Sequence, residues 1–467
     1  MTLLLNVDVA VVGGGITGLT AAYTLRTRYP AKSVALLEAS DRLGGKLHTL
    51  SFDGITIEAG ADSFLAREQH VVDLCSELGI ADELRAPAVF GALVWTGEGP
   101  RRLPLGTVMG VPASLGAALR AQPLSARGRL RALADLVLPG PLSGPDVAVA
   151  PFIRRRFGRE VLERMVDPIL AGTRAGDPEE LSLAACLPPI DGAARSHRRV
   201  MAGLRGAAGP PPFLAPERGM SRLVDALAGA LSGAEVLTGA RVAALRAGGA
   251  RPYLLELSDG AVEAGAVVLA VPAPEAASLL EASAPAATGE LREVAHASVA
   301  AVTLVYPAGA LDLPAGTSGF LVPSSAGHLL AAGTWWTLKW PGRGPTDRFV
   351  VRCFIGRAGE ERALDDDDDV LIRAAGRDLA RFIGTRASPA SGMVVRWPDG
   401  LPQYNVGHDE RIERIAAALR PHPGIAIAGA DYRGTGIPDC IRQGADAAVA
   451  VAGATVESWG DEREDRR

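Results

Sequence analysis

The chain has 467 residues, which is too many for one small hydrophobic core, so two or three domains are expected. Apolar residues make up 48% of the sequence and charged residues 22%, as in ordinary globular proteins. The net charge of −5 excludes a strongly basic, nucleic-acid-binding protein.

Cysteine spacing and apolar runs exclude further classes. The four cysteines are far apart and form no CxxC pair, which argues against a disulfide framework or a zinc site and fits a reducing cytoplasm. The first residues, "MTLLLNVDVAVVGGG", lack the basic start of a signal peptide. No run of about 18 apolar residues occurs, so we expect a cytoplasmic chain without a transmembrane helix.

The N-terminal segment predicts a dinucleotide-binding βαβ unit. The run "VDVAVV" is typical of a buried parallel strand, and an apolar-periodic helix and a second strand, "SVALLE", follow it. Between strand and helix stands the motif GGGITG, with residues Gly13, Gly14, Gly15, Ile16, Thr17 and Gly18. Its glycines permit a tight turn, the approach of a pyrophosphate and close helix–strand packing. Glu38, which ends the second strand, can accept both hydrogen bonds of a ribose diol.

A second glycine pair narrows the cofactor to FAD. In "EASDRLGGKLHT" the doublet Gly44-Gly45 lies between Arg42 and Lys46. Such a doublet lets backbone amides and a cation approach a diphosphate from a second direction. It resembles an extension found in FAD-binding amine-oxidase-like flavoproteins and not in NAD dehydrogenases.

The remaining pattern predicts a mixed α/β chain. The stretch "FDGITIEAGADSF" predicts a strand hairpin ending in a small-residue loop, 105–205 is Leu/Ala/Arg-rich and predicts a helical insertion, and β-rich segments between 290 and 400 surround one helix. The aspartate run 365–369 predicts a solvated helix start rather than a metal site. The predicted segments are 1–66, 206–285 and 425–455 for FAD binding, 67–104 and 286–424 for a substrate domain, 105–205 for a helical domain, and 456–467 for a disordered tail.

Five stretches together resemble one family. They are "EAGADSFLAR" (58–67), "LPLGTVMGVP" (103–112), "VLERMVDPILAGTRAGDPEELS" (161–182), "WPDGLPQYNVGH" (397–408) and "YRGTGIPDCIRQG" (432–444). They span nearly the whole chain in family order, and "PQYNVGH" and "AGDPEELS" are the more specific ones. The chain resembles the oxygen-dependent porphyrinogen oxidases of haem biosynthesis, of the bacterial proto-/coproporphyrinogen oxidase type.

The resemblance implies a fold, a cofactor and a reaction. It implies a p-hydroxybenzoate-hydroxylase-type FAD domain with a Rossmann-like core, noncovalent FAD, and six-electron oxidation of a porphyrinogen, with molecular oxygen reoxidising the flavin to give hydrogen peroxide. Coproporphyrinogen III is favoured as substrate over protoporphyrinogen IX. Carried over by position, the FAD contacts are residues 13–18, Glu38, Ala39, Lys46, Gly60, Ala61, Asp62, Ser63, Val242, Trp397, Gly436, Ile437 and Pro438. Pyrroles activate the methylene bridges, so no catalytic acid or base is predicted, and His408 is interpreted as structural.

The glycine-rich run near the C-terminus is then interpreted as the second half of the flavin site. Gly434 and Gly436 let the main chain pass the isoalloxazine edge without a Cβ atom. Pro438 suits the first position of the helix that follows, where no N–H is needed. The N-terminus of that helix would stabilise the negative charge that two-electron reduction adds to the flavin.

Three positions depart from the family pattern. Arg174 stands in "TRAGD" where an aromatic residue is usual, and it is our candidate substrate-binding residue, either paired with a propionate or a plain surface arginine. Glu68 replaces a common lysine and Ala430 a common asparagine, which bears on substrate preference. Residues 120–205 contain fourteen arginines and nine acidic residues. This excess of positive charge could attract carboxylates, a membrane surface or the next enzyme of the pathway; the alternative is an ordinary solvated face.

Two other functions stay open. A flavin amine oxidase or carotenoid desaturase shares the N-terminal signature, although Lys339 matches the porphyrinogen oxidase pattern instead of an amine-oxidase lysine. The second is an FAD-binding protein without turnover, acting as a chaperone or a haem-pathway regulator. The sequence predicts no oligomeric state.

Overall fold

The computed structural model describes residues 3–138, 140–207 and 213–464. Its strands are β1 (Leu3–Val12), β2 (Val34–Leu37), β3 (Thr49–Phe52), β4 (Ile55–Glu58), β5 (Phe64–Leu65), β6 (Leu84–Arg85), β7 (Ala92–Thr96), β8 (Gly99–Arg102), β9 (Thr107–Val108), β10 (Val111–Pro112), β11 (Phe213–Pro216), β12 (Glu235–Leu237), β13 (Val242–Ala247), β14 (Tyr253–Leu257), β15 (Gly260–Leu269), β16 (His296–Pro307), β17 (Gly319–Leu321), β18 (Leu330–Trp335), β19 (Arg348–Ile355), β20 (Ser391–Pro402) and β21 (Ile425–Ile427).

Its α-helices are α1 (Ile16–Arg28), α2 (Gln69–Glu77), α3 (Leu115–Leu119), α4 (Ala126–Ala132), α5 (Val149–Arg156), α6 (Arg159–Val161), α7 (Asp167–Arg174), α8 (Leu183–Cys186), α9 (Pro188–Ser196), α10 (Val200–Gly203), α11 (Ser221–Gly229), α12 (Ala273–Leu280), α13 (Pro285–Arg292), α14 (Trp336–Lys339), α15 (Asp368–Ile383), α16 (His408–Leu419) and α17 (Ile437–Glu464). A π-helical turn, Leu162–Val166, joins α6 to α7. The 3-10 turns are Ala81–Glu83, Leu133–Leu136, Ser324–Ala326 and Arg362–Asp365.

The first sheet contains the predicted dinucleotide unit. Its strands lie in the order β12-β2-β1-β15-β14-β13, and β21 pairs in parallel with the end of β15. Because β1 lies between two parallel neighbours, its apolar residues from Val7 to Val12 are buried on both faces. Val9 and Val11 pack in the same core as α1 and α17, whereas Val7, Ala10 and Val12 pack in the core that contains α12 and α16. Three separated chain segments therefore build one three-layer unit.

The second sheet is mostly antiparallel. Its order is β20-β16-β19-β18-β17-β7-β8, in which only β7 and β17 pair in parallel. Helix α15 packs on it through Leu371, Ala375 and Leu379. The aspartates at 365–369 are exposed around the start of α15, which confirms the predicted solvated helix start. The predicted mixed α/β fold class is confirmed.

The segment from 105 to 205 contains the short helices α3 to α10, as its pattern predicts, and also the hairpin β9–β10, which its pattern does not predict. These helices form their own core, which includes Phe157, Met165 and Leu187. Among the described residues, no helix has the length and apolarity needed to cross a membrane. The seven-segment division of the chain stays a proposal, supported by this separate core and the two sheets.

Helices α1 and α17 bring the two glycine-rich runs together. A Cβ atom at Gly444 would lie 2.3 Å from the carbonyl oxygen of Thr17, so only glycine allows the helices to approach this closely. At the start of α1, a Cβ at Gly18 would lie 1.8 Å from the carbonyl oxygen of Gly13, which confirms the predicted packing role of that glycine.

The C-terminal end differs from the prediction. Helix α17 continues to Glu464, so residues 456–464 are helical where a disordered tail was predicted. No proline interrupts the chain after Pro438, and each residue added to an existing helix gains one backbone hydrogen bond at small entropic cost. Residues 465–467 lie outside the described part of the chain.

A buried ion pair joins the second sheet to the segment that follows β21. The Nε2 atom of His296 lies 2.7 Å from Oδ2 of Asp431, and the two side chains are 6% and 4% exposed. The same carboxylate oxygen accepts the N–H of Ala273 at the start of α12, at 2.7 Å. Burial lowers the pKa of His296, as does the charge of Lys46, but the hydrogen bond and charge of Asp431 outweigh both and raise this pKa above its ordinary value.

This pair predicts a pH dependence of stability. Because the pKa of His296 is raised on folding, its contribution is complete below the unfolded pKa of about 6.5 and is lost as the pH rises through the folded pKa. Between about pH 6 and 9 we expect the wild-type free energy of unfolding to fall by about 1–2 kcal/mol relative to that of His296→Gln, measured by urea unfolding. The exposed His197 gives a control, since His197→Gln should follow the wild type. Identical pH profiles for wild type and His296→Gln would contradict the assignment.

Candidate functional site

The N-terminus of α1 forms one end of the site. Gly13 has φ +102°, a left-handed conformation that requires glycine. Gly15 caps the helix without a side-chain hydrogen bond, and no acidic residue occupies the first turn. A Cβ at Gly15 would meet nothing within 4 Å, so space is open in front of the first amides. These uncompensated amides, at the positive end of the helix dipole, suit a phosphate group.

The Gly44-Gly45 turn packs directly against this helix start. The N–H of Gly44 donates to the carbonyl of Gly14 at 2.8 Å. The guanidinium of Arg42 donates to the carbonyl of Gly45 at 2.8 Å, so this residue holds the turn in place instead of projecting towards a diphosphate as predicted. The exposed Lys46 makes no ion pair or hydrogen bond within the described residues and is the cation available there.

Glu38 lies beside both segments, with part of its hydrogen-bonding capacity already used. Its Oε2 accepts the N–H of Gly14 at 2.7 Å, and its Oε1 accepts both the N–H and the hydroxyl of Ser40 at 2.8 Å. One lone pair at Oε2 stays open, so the predicted contact with both ribose hydroxyls requires the Ser40 hydroxyl to turn away. The N–H of Ala240, two residues before Val242 and the start of β13, donates to the Glu38 carbonyl.

The loop at residues 60–63 is fixed from the side of the second sheet. Arg352 donates to the carbonyls of Ala59 and Gly60, at 3.1 and 2.6 Å, and the indole N–H of Trp397 donates to that of Ala59 at 2.9 Å. The amide N–H groups of residues 60–62 donate to no other group in the described part of the chain. The loop therefore presents unused N–H donors, which suit the carbonyl and ring-nitrogen acceptors of a flavin.

A buried ion pair completes this loop. Lys339 donates to both carboxylate oxygens of Asp62, at 2.9 and 2.7 Å, and Ser63 donates its hydroxyl to the same carboxylate at 2.7 Å. Burial raises the pKa of Asp62, but the charges of Lys339 and Arg352 outweigh it and hold this pKa well below its usual range. Lys339 thus gives two of its three N–H donors to a carboxylate.

The C-terminal glycine run forms the opposite end of the site. Gly434 has φ +107°, and a Cβ there would lie 2.4 Å from Cγ of Asp439. Helix α17 begins at Ile437, so Pro438 occupies the second helical position, one later than predicted, where its missing N–H is still not needed. The ring Nε2 of His70 lies 2.9 Å from the Pro438 carbonyl and ties α2 to this helix start.

Tyr404 connects the helical domain to the C-terminal run. Its hydroxyl donates to the carbonyl of Ala430 and accepts the N–H of Gly434 at 2.9 Å. The guanidinium of Arg174 lies 5.5 Å from the centre of the Tyr404 ring. One guanidinium nitrogen of Arg174 is buried without a hydrogen-bond partner among the described residues. Arg174 is therefore not a plain surface arginine, because a buried, unpaired donor is costly unless a ligand satisfies it.

His408 has a structural position, as interpreted from sequence. Its ring stacks on Tyr404 at 3.8 Å, and its Nε2 lies 2.8 Å from the carbonyl of Tyr432. Burial lowers its pKa, which keeps the ring neutral.

Sequence reasoning missed three residues that shape the site. These are Arg352, Tyr404 and His70. Arg352 stands in a β-rich run where nothing local marks it, although an arginine in a strand buried on both faces is itself an unusual signal. The sequence also placed Ala39 near the cofactor; it is exposed beside Glu38.

Comparison with known proteins places this geometry in a family. The model of the "Flavin containing amine oxidoreductase" family matches residues 16–452. The coproporphyrinogen III oxidase of Bacillus subtilis (strain 168) is 33% identical over 461 residues, covering 95% of this chain and 97% of that protein. The protoporphyrinogen oxidase of Bos taurus is 30% identical, covering 96% and 99%. The structure of an Exiguobacterium sp. 255-15 protein, provisionally named a protoporphyrinogen oxidase, has TM-score 0.85 and 31% identity, covering 97% and 99%.

The predicted flavin fold is therefore confirmed, and FAD is the cofactor. Open space at Gly15, the free amides of residues 60–62 and the start of α17 fit that group. The protein belongs to the flavin containing amine oxidoreductase family, in the group that includes the coproporphyrinogen III and protoporphyrinogen oxidases.

Proposed function

We propose that this protein is an FAD- and oxygen-dependent coproporphyrinogen III oxidase, which removes six electrons from coproporphyrinogen III and releases hydrogen peroxide. The observation that carries the proposal is the near-full-length similarity to coproporphyrinogen III oxidases in a chain whose two ends converge on one flavin-type site. Each pair of electrons leaves the substrate as a hydride with loss of a proton, and one oxygen molecule takes up both electrons and two protons to form one peroxide.

Bound FAD supplies the hydride acceptor and the route of electrons to oxygen. The residues of this chain bind and orient it: we propose that the amides at the start of α1 and Lys46 hold the diphosphate. We propose that Glu38 and Val242 face the adenosine, and that residues 60–63, Trp397 and the start of α17 face the ring. The N-terminus of α17 stabilises negative charge on the flavin through its dipole. No side chain is assigned a proton-transfer role.

We propose that Arg174 binds a propionate of the substrate. Its unpaired guanidinium nitrogen is buried, and Tyr404 links its position to the proposed flavin-facing run. A carboxylate would supply the missing acceptor in a charge-assisted hydrogen bond. A substrate with four propionates offers more such partners than one with two, which favours coproporphyrinogen III over protoporphyrinogen IX.

Aerobic turnover tests the function. We expect purified yellow protein to form fluorescent porphyrin faster from coproporphyrinogen III than from protoporphyrinogen IX, with one peroxide for each pair of electrons removed. Anaerobic coproporphyrinogen should bleach the flavin absorbance, whereas amines should not. Faster turnover of protoporphyrinogen would reassign the substrate, bleaching by amines alone would indicate an amine oxidase, and no bleaching by any substrate would indicate a non-catalytic FAD protein.

The Arg174 assignment predicts a specific kinetic change. Arg174→Ala should raise KM for coproporphyrinogen III about 10- to 100-fold with little change in kcat, because it removes one charge-assisted contact worth about 1.5–3 kcal/mol. Arg174→Lys should recover part of the loss. The matched control is Arg159→Ala, which removes an exposed arginine paired with Glu163 in the same domain. An unchanged KM in Arg174→Ala would contradict the role.

We also propose that the helical domain docks on an anionic membrane surface. This domain carries exposed apolar side chains, with Leu105 and Leu130 exposed by 84% and 71%. Exposed arginines, Arg120 and Arg127, lie between them in the chain. Apolar side chains that enter the headgroup region, surrounded by cations that pair with anionic lipids, give reversible surface binding without a spanning helix.

Vesicle co-sedimentation tests the docking surface. The protein should bind vesicles containing phosphatidylglycerol more strongly than vesicles of phosphatidylcholine alone, and Leu105→Ser/Leu130→Ser should lose most of this binding. Leu4→Ser changes a leucine that is 74% exposed on the first sheet and should bind as wild type. Equal affinity for neutral and anionic vesicles, or no binding to either, would overturn the docking proposal and favour a protein partner or a solvated face.

A further inference from the structure

A group of buried charges lies behind the 60–63 loop, between it and the second sheet. The pair Asp62–Lys339 is joined there by Arg352, which is 2% exposed. Beyond them, Arg343 lies 3.5 Å from Glu58, and both side chains are buried. With every group ionised, the cluster holds two anions and three cations, an excess of one positive charge. In a protein interior this excess acts on neighbouring groups far more strongly than it would in water.

The same cations orient the loop. Arg352 donates to the carbonyls of Ala59 and Gly60 and so fixes the direction of the loop backbone. The N–H groups of residues 60–62 donate to no group in the described part of the chain. A Cβ at Gly60 would lie 2.0 Å from the carbonyl oxygen of Lys46, so the loop packs directly on the turn that we assign to the diphosphate. The amide donors are therefore held by side chains of the second sheet and not by their own domain.

We propose that the Asp62–Lys339 pair and Arg352 hold the loop amides towards the flavin ring and set the reduction potential of the bound FAD. The inference rests on the proposed function, because it takes this loop as a flavin contact. Two-electron reduction adds negative charge to the flavin, and fixed positive charge nearby stabilises the reduced form more than the oxidised form. The charges of Asp62 and Lys339 shift the reduction potential in opposite directions, and their effects nearly cancel. Arg352 is then the cation whose effect on the potential is not compensated.

The two single substitutions of the pair should shift the reduction potential in opposite directions, and the double substitution should leave it nearly unchanged. Asp62→Asn removes the anion with almost no change of shape and should strengthen binding of reduced relative to oxidised FAD about tenfold, which raises the two-electron potential by about 30 mV. Lys339→Met leaves the carboxylate unpaired and should lower the potential by a similar amount. The double variant should return close to the wild-type value. Dye-equilibration measurements of the bound flavin give these potentials independently of turnover.

Arg352→Met should lower the potential and weaken FAD affinity, because it removes both the charge and the loop anchor. The matched control is Arg348→Met on the same strand, whose side chain pairs with Asp53 at the surface and should leave the potential unchanged. A purely structural role would move Asp62→Asn and Lys339→Met in the same direction, and that result, or no shift in either, overturns the inference.

Two further outcomes separate this inference from the proposed function. If Lys339→Met does not fold, Asp62→Asn decides alone, and an unchanged or lowered potential overturns the inference. If the wild-type protein binds no FAD, the proposed function fails first. If it binds FAD and the potentials of the variants do not move as stated, only the inference fails.

Discussion

The close approach of α1 and α17 is the constraint on which the site depends. Gly444 allows α17 to lie against the first turn of α1, and no larger side chain fits there. Strands β1 and β21, which precede the two helices, both pair in parallel with β15, so the N-terminal amides of the helices converge on the same edge of the sheet. One helix start then suits a diphosphate and the other a ring that gains negative charge, since both are positive ends of helix dipoles.

The second constraint is a set of hydrogen bonds and ion pairs between charged side chains of the second sheet region and the loop at residues 60–63. The segment 59–63 belongs to the first unit by sequence, yet its carbonyls are bound by Arg352 and Trp397 of the second sheet, and the carboxylate of Asp62 is bound by Lys339 of α14. Ions buried in this way are costly unless they are paired and hydrogen-bonded. Their pairing across the interface therefore makes the relative position of the two sheets part of the cofactor site.

The helical domain is connected to that site through Tyr404, whose backbone carbonyl accepts the N–H of Ser182 in this domain. The Tyr404 ring contacts the Arg174 guanidinium at 5.5 Å, and its hydroxyl accepts the N–H of Gly434, so one side chain touches both Arg174 and the C-terminal run. The outer face of the domain is different in character, with exposed leucines among arginines. One domain thus combines a proposed carboxylate contact on its inner side with a proposed membrane contact on its outer side.

The sequence by itself determined the βαβ unit, the mixed α/β class, FAD as cofactor and the family, because these depend on local signals: glycine spacing, an acid after a strand, and short motifs in a set order. It did not predict that Glu38 accepts a hydrogen bond from Ser40 or that Arg42 donates to a carbonyl of its own turn. It also did not predict that α17 continues through residues 456–464. Nor did it predict that Arg352 contacts the loop at Gly60, or that one nitrogen of Arg174 is buried without a partner among the described residues. Those features were decided only by the tertiary structure, since they join residues from separate segments of the chain, and the cost of burying a charge is set by what the fold places beside it.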